Sequence, residues 1–207
     1  MKLSKRLKTI AHMIPEHKNV IDVGCDHGLL DIYLTDMRDD IRVLGVDVSH
    51  ISIASAKKNA HFYKSSNRVM FEVSDGLDSV SVRDEAIVFS GMGSHTILNI
   101  LNRVKLNGNP LIIGTQTNVD LLRREIVKKG YFIAEEKAIF DKKWYVIIRF
   151  EMGSATYSDL QYILGPFFLQ NLEYMEYLYQ RERKIVQKRG RKTTLLKQLE
   201  KIKKETK

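Results

Sequence analysis

The feature that most constrains the fold is an apolar segment that runs directly into a glycine turn near the start of the chain. Residues 20–28 read Val-Ile-Asp-Val-Gly-Cys-Asp-His-Gly, and an acid, Asp47, follows 23 positions after Gly24. This order is typical of a buried strand, a tight turn and a helix start, followed by a second strand that ends in a carboxylate. We therefore predict one edge of a nucleotide-like cofactor site here.

Asp26 indicates which cofactor this turn favours. A dinucleotide fingerprint has glycine at that position, where the backbone approaches a pyrophosphate. A carboxylate facing a pyrophosphate would be repelled, whereas S-adenosyl-L-methionine (SAM) has no phosphate and carries an ammonium and a sulfonium. The sequence therefore favours SAM over NAD.

Strand and helix patterns alternate along the first two thirds of the chain, which predicts a mostly parallel, doubly wound sheet. Helices are predicted over residues 3–14, 29–37, 51–62, 96–103 and 119–129, with Ser4 as the first N-cap. Strands are predicted over residues 19–23, 42–46, 69–73, 86–90, 110–115, 131–138 and 144–151. The last two form an antiparallel pair at the sheet edge. The predicted fold class is α/β, a Rossmann-like class I SAM-dependent methyltransferase sheet.

From about residue 154 the pattern becomes purely helical, so we predict two domains. Residues 1–153 form the SAM-binding methyltransferase domain, and residues 154–207 form a C-terminal helical hairpin that resembles a coiled coil. Pro166 is expected in the first turn of a long helix, and residues 189–191 at the turn to the next. The apolar stripe, interpreted as packing, comprises Phe167, Phe168, Leu169, Leu172, Met175, Leu178, Tyr179, Leu195, Leu196, Leu199 and Ile202.

The formal net charge of +9 lies entirely in the last 27 residues, which hold 12 Lys and Arg against three Glu. Such asymmetry predicts a polyanion-binding arm on a neutral domain. Arginines suit phosphate recognition better than lysines, which favours nucleic acid. The alternative is a solvated, lysine-rich helix.

Candidate cofactor contacts follow the carboxyl end of each of the first four strands. Glycines in the first turn let the backbone pass close to a ligand, Asp22 can pair with an ammonium or cap a loop, and Asp47 can accept from ribose hydroxyls or cap a helix. The predicted cofactor-binding residues are Asp22, Gly24, Asp26, His27, Gly28, Asp47, Val48, Asp75, Gly76, Ser90, Gly91 and Met92.

The remaining composition favours function classes without a metal or a membrane. The histidines show no paired ligand spacing with Cys25, the only cysteine, so no metal is expected. Charges interrupt every apolar run, so no membrane span is expected. We expect a cytoplasmic monomer.

With these motifs in hand, the chain resembles the bacterial tRNA (adenine-N1)-methyltransferases called TrmK, which modify adenosine 22. Residues 22–28 resemble the family's Asp-His motif, and residues 91–93 resemble its Gly-Met-Gly motif. Further similar segments are residues 3–7, 116–118, 157–158 and 164–167. The chain departs from the family pattern at Leu29, Asp31, Ser94 and Thr117, where tyrosine, proline, glycine and proline are common.

The resemblance implies a SAM-dependent enzyme that methylates N1 of an adenine in tRNA. N1 is already a nucleophile, so attack needs alignment more than a strong base, and a carboxylate near N1 would stabilise the cationic product. Asp26 is the catalytic candidate; alternatively it only binds cofactor or caps the following helix. The target base must be unpaired or flipped out to react.

Substrate contacts are predicted at the rim of the site and in the basic tail. Gln116 and Asn118 follow the fifth strand, where they could read polar edges of a substrate or simply face water. The predicted substrate-binding residues are Lys5, Arg6, Gly93, Gln116, Asn118, Arg181, Arg183, Arg189 and Arg191. Two alternatives remain: a methyltransferase of another RNA base or a small molecule, and a non-catalytic RNA-binding protein on the same fold.

Overall fold

The computed structural model describes residues 1, 3–16, 19–190 and 193–205, which form two compact units. The first unit is Met1–Ala155 and the second is Thr156–Lys207. The sequence placed the division between residues 153 and 154, two residues earlier.

Within the described residues of the first unit, seven strands form one sheet in the order β3-β2-β1-β4-β5-β7-β6. The first five strands are parallel, and β7 pairs antiparallel with both β5 and β6. The Rossmann-like arrangement predicted from the alternating pattern is therefore confirmed. The strands are β1 Val20–Val23, β2 Val43–Asp47, β3 Val69–Val73, β4 Ala86–Ser90, β5 Leu111–Thr115, β6 Tyr131–Asp141 and β7 Lys143–Met152.

Helices cover both faces of this sheet, which is why its central strands are mostly apolar. Each residue of β1 and β5 is buried. Ser4 caps the first helix by accepting a hydrogen bond from the Leu7 amide at 3.3 Å, as predicted. The helices are α1 Lys5–Met13, α2 Leu29–Met37, α3 His50–Phe62, α4 Ser94–Arg103 and α5 Val119–Lys128.

The edge hairpin is longer than its sequence pattern predicted. Strand β6 continues three residues past Ala138, to Asp141, and β7 begins at Lys143, so Lys142 alone forms the turn with φ at +61°. The alternation of apolar residues in the sequence ends before the strand does, because the rest of the domain covers only one face of the outer hairpin. Backbone pairing therefore extends where the hydrophobic pattern does not.

The second unit is helical, as predicted, and has its own apolar cluster. Its helices are α6 Asp159–Leu164, α7 Leu172–Arg189 and α8 Thr194–Glu205. Leu164, Met175, Leu178 and Leu199 are buried together, with Phe168 and Tyr179 packed against them. Ser158 and Gln161 form a capping box at the start of α6.

Two expectations for this unit are wrong. Pro166 does not open the long helix, because a short 3-10 turn over Phe168–Gln170 intervenes and the backbone at Asn171 is not helical. As a result Leu169 and Leu172 are exposed and lie outside the apolar stripe.

No described helix is long and apolar enough to cross a membrane.

A buried ion pair connects α5 to the edge hairpin. The Arg123 guanidinium donates from Nε to Glu136 Oε2 at 2.7 Å and from Nη2 to Oε1 at 3.0 Å. Both side chains are almost fully buried, at 1% and 4% exposed. Burial raises the pKa of Glu136, while the facing Arg123 lowers it. The bidentate geometry offsets the desolvation of both charges only while both partners are present.

We expect Glu136→Gln to lower the free energy of unfolding by about 3 to 5 kcal/mol, because it removes the carboxylate charge that faces the buried Arg123 guanidinium. Urea unfolding measures this loss. The matched control is Glu125→Gln, which breaks the exposed contact with Lys128 at 2.7 Å on the same helix and should cost under about 0.5 kcal/mol. Equal losses in the two variants would contradict the assignment.

Candidate active site

A cavity of about 520 Å³ opens at the carboxyl ends of the parallel strands. This is the edge of an open α/β sheet where ligands bind, and the volume suits a molecule of cofactor size. The cavity wall combines the turns after β1 to β4 with one side of α1 and α4. Predicted site residues in the wall are Arg6, Asp22, Gly24, Asp26, His27, Asp47, Val48, Asp75, Gly76, Ser90, Gly91 and Met92.

Sequence reasoning missed several other wall residues, mostly small or apolar ones. They are Leu7, Val23, Cys25, Leu29, Leu30, Ser74, Thr96 and Ile100. No motif distinguishes such residues from ordinary core positions. The apolar side chains among them line the cavity beside the polar groups.

The turns after β1 and β4 meet at Gly24 and Met92. A Cβ atom on Gly24 would overlap the Met92 Cε, and the Gly24 backbone has φ at +78°. The left-handed backbone favours glycine here, and a Cβ would also displace the end of the Met92 side chain. This contact brings the turn after β1 against Met92, the residue predicted to lie beside the methyl group that is transferred.

Asp22 is a buried carboxyl group that faces this cavity. It is 1% exposed, and its Oδ1 has no hydrogen-bond partner within the described residues. Burial raises the pKa of Asp22 to about 7, with nearby Arg6 lowering it and Asp47 raising it. An unpartnered acceptor of this kind fits a cationic ligand group, since a charge or donor there would satisfy it.

Asp47 and Asp26 are held together at the same edge. Asp47 accepts from the Asp26 amide at 3.2 Å and from the Ser49 amide at 2.8 Å. Ser49, not Asp47, caps α3, because its side chain accepts from the Ser52 amide. The helix-cap alternative for Asp47 is therefore wrong, and its carboxylate is fixed by the backbone at the cavity edge.

Asp26 has an unusual backbone and an exposed carboxylate. Its φ is +53°, a left-handed conformation that side chains rarely adopt and that clusters at functional sites. The carboxylate is 71% exposed, and its Oδ1 lies 3.5 Å from Nε2 of His27. The N-cap of α2 is Gly28, which has no side-chain hydrogen bond. Asp26 therefore does not cap that helix.

Arg6 reaches the cofactor cavity, although the sequence assigned it to substrate. Its Nη1 donates to Ser90 Oγ at 2.7 Å, at the end of β4, and lies beside Gly91.

Asp75, predicted to face an adenine, forms a two-point contact with Arg103, whose Nη1 and Nη2 each lie 3.2 Å from one of its carboxylate oxygens. This contact holds the pKa of Asp75 below its usual value.

Other predicted residues lie at the rim or behind the wall. Gly28 packs against the Phe71 ring, where a Cβ would come within 2.6 Å, so it supports the turn from behind. The Asn118 side chain contacts His95, with Nδ2 and Nε2 3.0 Å apart, and has φ at +47°. Ser94, which stands where a third glycine is common, is buried and donates to the Thr117 carbonyl at 2.5 Å. Lys5, Gly93 and Gln116, also predicted to bind substrate, are exposed and do not line the cavity.

The basic residues predicted to bind substrate belong to the second unit. Arg181 is partly exposed beside Glu182 at 3.2 Å, and Arg183 lies over the Tyr179 ring, 5.8 Å from its centre. Arg191 and the side chain of Arg189 lie outside the described residues.

A second buried carboxyl, Asp31 on α2, lies behind the cavity. It is fully buried, and neither of its oxygens has a hydrogen-bond partner within the described part of the chain. Burial raises the pKa of Asp31 well above its usual value, and Asp22 raises it further. The two acids therefore hold protons in the folded state that the unfolded chain would release.

We expect Asp22 to contribute a fall in the free energy of unfolding as pH rises from about 4 towards 7, because unfolded Asp22 ionises near 3.8 whereas folded Asp22 ionises at about 7. Asp31→Asn removes one of the two buried acids, so its stability should fall less over this range. Urea unfolding at several pH values measures the slopes. Asp36→Asn, an exposed position on the same helix, should keep the wild-type slope; a wild-type slope in Asp31→Asn would contradict the assignment.

Comparison with known proteins agrees with this architecture. The model of the methyltransferase domain family matches residues 3–148. The tRNA (adenine(22)-N(1))-methyltransferase of Bacillus subtilis is 28% identical over 179 residues, covering 81% of this chain and 75% of that protein. A Mycoplasma genitalium protein is 29% identical over 147 residues, covering 69% of this chain and 66% of its own length, just under two thirds.

Solved structures match nearly the whole chain. TrmK of M. capricolum, in complex with S-adenosyl-homocysteine, has a TM-score of 0.86 at 25% identity and covers 99% of this chain and 98% of its own. A Streptococcus pneumoniae structure in complex with SAM has a TM-score of 0.85 at 22% identity, covering 97% and 99%. These relatives confirm the resemblance to TrmK inferred from the motifs. Because the family model matches residues 3–148, more than half of the sequence, this chain belongs to the methyltransferase domain family.

Proposed function

We propose that this protein transfers the methyl group of SAM to N1 of an adenine in tRNA, adenosine 22 by its likeness to the relatives. The observation that carries the proposal is the buried Asp22 carboxyl, whose Oδ1 lacks a partner within the described residues and lines the cavity beside Gly24. SAM supplies an electrophilic methyl group when bound. Its ammonium group matches the charge that Asp22 requires, and a dinucleotide would bring pyrophosphate against Asp26.

Asp47 supports the ribose end of such a ligand. Its two carboxylate oxygens each accept one backbone amide, from Asp26 and Ser49, which leaves further lone pairs for ribose hydroxyls. Val48, 70% exposed, follows it directly and offers an apolar surface to an adenine ring. The two residues thus present one polar and one apolar contact at the same wall of the cavity.

Asp26 is suited to stabilise the positive charge that N1 methylation places on adenine. Its carboxylate is exposed at the cavity, and its strained backbone is fixed by the hydrogen bond to Asp47. His27 lies beside it, and the His27 ring is held by Ser55, with Nδ1 and Oγ 2.9 Å apart. A fixed carboxylate lowers the energy of a cationic transition state without reorganising during the reaction.

The charge distribution supports RNA as the substrate. The net charge of +9 lies in the tail, where Arg181 and Arg183 are accessible on α7. Arginine can donate two parallel hydrogen bonds to a phosphate group. Such contacts position a nucleic acid without reading its base sequence. An enzyme for a small molecule has no need of this charge.

The direct test is incubation of the protein with unmodified tRNA and SAM, followed by nucleoside mass spectrometry. We expect 1-methyladenosine as the product. A tRNA with guanosine at position 22 is the control and should stay unmodified. A methyl group on another base, or on another atom of adenine, would overturn the proposed function.

Asp26→Asn tests the role of the carboxylate. Asparagine tolerates the left-handed backbone and has nearly the same shape, so folding should be preserved. We expect kcat to fall about 100-fold, by analogy with the loss of one charge-stabilising group in an active site, while the Kd for SAM changes less than about threefold.

Calorimetry with SAM and steady-state kinetics separate this role from its alternative. If Asp26 only binds the cofactor, the Kd would rise and kcat at saturating SAM would stay at the wild-type value. Gly24→Ala is the matched control for cofactor loss, because its Cβ strains a backbone with φ at +78° and displaces the Met92 methyl group in the cavity wall, so it should raise the Kd for SAM.

A further inference from the structure

The β6–β7 hairpin projects beyond the carboxyl end of the sheet, on the side of the cavity. Strand β5 ends at Thr115, which pairs with Val146. Three more pairs follow in the hairpin, Ile139↔Tyr145, Phe140↔Trp144 and Asp141↔Lys143. At about 3.4 Å a residue this extension is about 10 Å long. We call residues 139–145 the hairpin tip.

One face of the hairpin tip is fixed to the cavity wall through Arg6. The Arg6 amide donates to Asp141 Oδ2 at 3.0 Å, and its guanidinium lies over the Tyr145 ring, 5.1 Å from the centre. The same guanidinium donates to Ser90 Oγ, at the end of β4. The hairpin tip is therefore held at a defined position relative to the site of methyl transfer.

The opposite face carries an aromatic pair of one exposed and one half-buried ring. Phe140 is 53% exposed, and its ring packs edge-on against Trp144 with centroids 5.7 Å apart. Alternation along β7 places Trp144 on the same face of the sheet as Val146 and its partner Thr115. The Thr115 hydroxyl donates to the Met92 carbonyl at 3.2 Å. The aromatic pair thus continues the face on which the Met92 turn rests.

Two lysines add positive charge at the end of the hairpin tip. Lys142 forms the turn itself, and Lys143 lies beside it on the face of Tyr145, with Nζ 5.5 Å from the Tyr145 ring centre. Both are exposed. Accessible rings close to cations are the combination that holds single-stranded nucleic acid, since every base has a face to stack and every nucleotide a phosphate.

We propose that the hairpin tip is a second RNA-binding surface, on which an unpaired nucleotide next to the target adenine stacks against Phe140 and Trp144 while Lys142 and Lys143 contact its phosphates. This proposal rests on the proposed function, which makes tRNA the partner. A base removed from its helix leaves unstacked neighbours, and an aromatic surface close to the cavity stabilises them. The hairpin tip then contributes to substrate affinity rather than to the chemical step.

The packing of Phe140 on Trp144 could also serve only to stabilise the hairpin. The variants therefore distinguish the loss of an aromatic ring from the loss of side-chain volume. Phe140→Leu keeps an apolar side chain against Trp144 but removes the aromatic face, whereas Phe140→Tyr keeps it. We expect Phe140→Leu to raise the KM for tRNA about tenfold, with kcat within twofold and the Kd for SAM unchanged. Phe140→Tyr should match the wild type. Phe62→Leu, an exposed ring on α3, is the matched control.

Fluorescence gives a readout that does not need turnover, because Trp144 is the only tryptophan in the chain. Titration of unmodified tRNA into the protein saturated with S-adenosyl-homocysteine should quench Trp144, since a stacked base quenches indole. Lys142→Ala with Lys143→Ala should weaken the titration at least threefold and reduce its dependence on salt.

The outcomes distinguish the two proposals. If the wild type methylates tRNA but neither quenching nor a KM change in Phe140→Leu is seen, the hairpin-tip proposal is wrong and the proposed function stands. If Phe140→Leu and Phe140→Tyr raise KM equally, the ring has no stacking role. If tRNA quenches Trp144 but is never methylated, the RNA surface stands and the proposed function is wrong.

Discussion

The close approach of the turn after β1 to the turn after β4 is the constraint on which the site depends. A glycine at position 24 suits this approach, because the backbone there is left-handed with φ at +78° and a Cβ would displace the Met92 methyl group. At the same edge of the sheet, Asp22 is buried within β1 and Asp47 accepts the Asp26 amide. The cavity edge thus brings together a left-handed glycine turn, a buried acid and a carboxylate held by two backbone amides.

Arg6 adds a second level of organisation. A single side chain contacts Ser90 at the cavity, Tyr145 in the hairpin and, through space, the buried Asp22. Its positive charge opposes the burial that keeps Asp22 protonated. The cavity and the hairpin tip are therefore coupled by charge as well as by packing, and a substrate surface can be positioned by the same residue that tunes the cofactor wall.

Much of the fold and half of the site follow from local sequence. Strand periodicity, the Gly24 turn and the acid at Asp47 each depend on neighbouring residues, so a pattern can report them. Arg6 and the Arg123–Glu136 pair depend on contacts between distant segments, which periodicity does not encode. The Asp47 and Ser49 capping alternatives could not be separated because both side chains suit the role. The length of the hairpin was underestimated because its outer residues do not continue the apolar alternation, although their backbones pair.

The hydrogen bond from the Arg6 amide to Asp141 joins residues 135 positions apart. Helix α1 packs mainly against β5, β6 and β7, the last strands of its unit to be synthesised. During synthesis, α1 is therefore made well before the strands on which it mainly packs. The wall that α1 contributes to the cavity, through Arg6 and Leu7, can be complete only after the whole sheet has been synthesised.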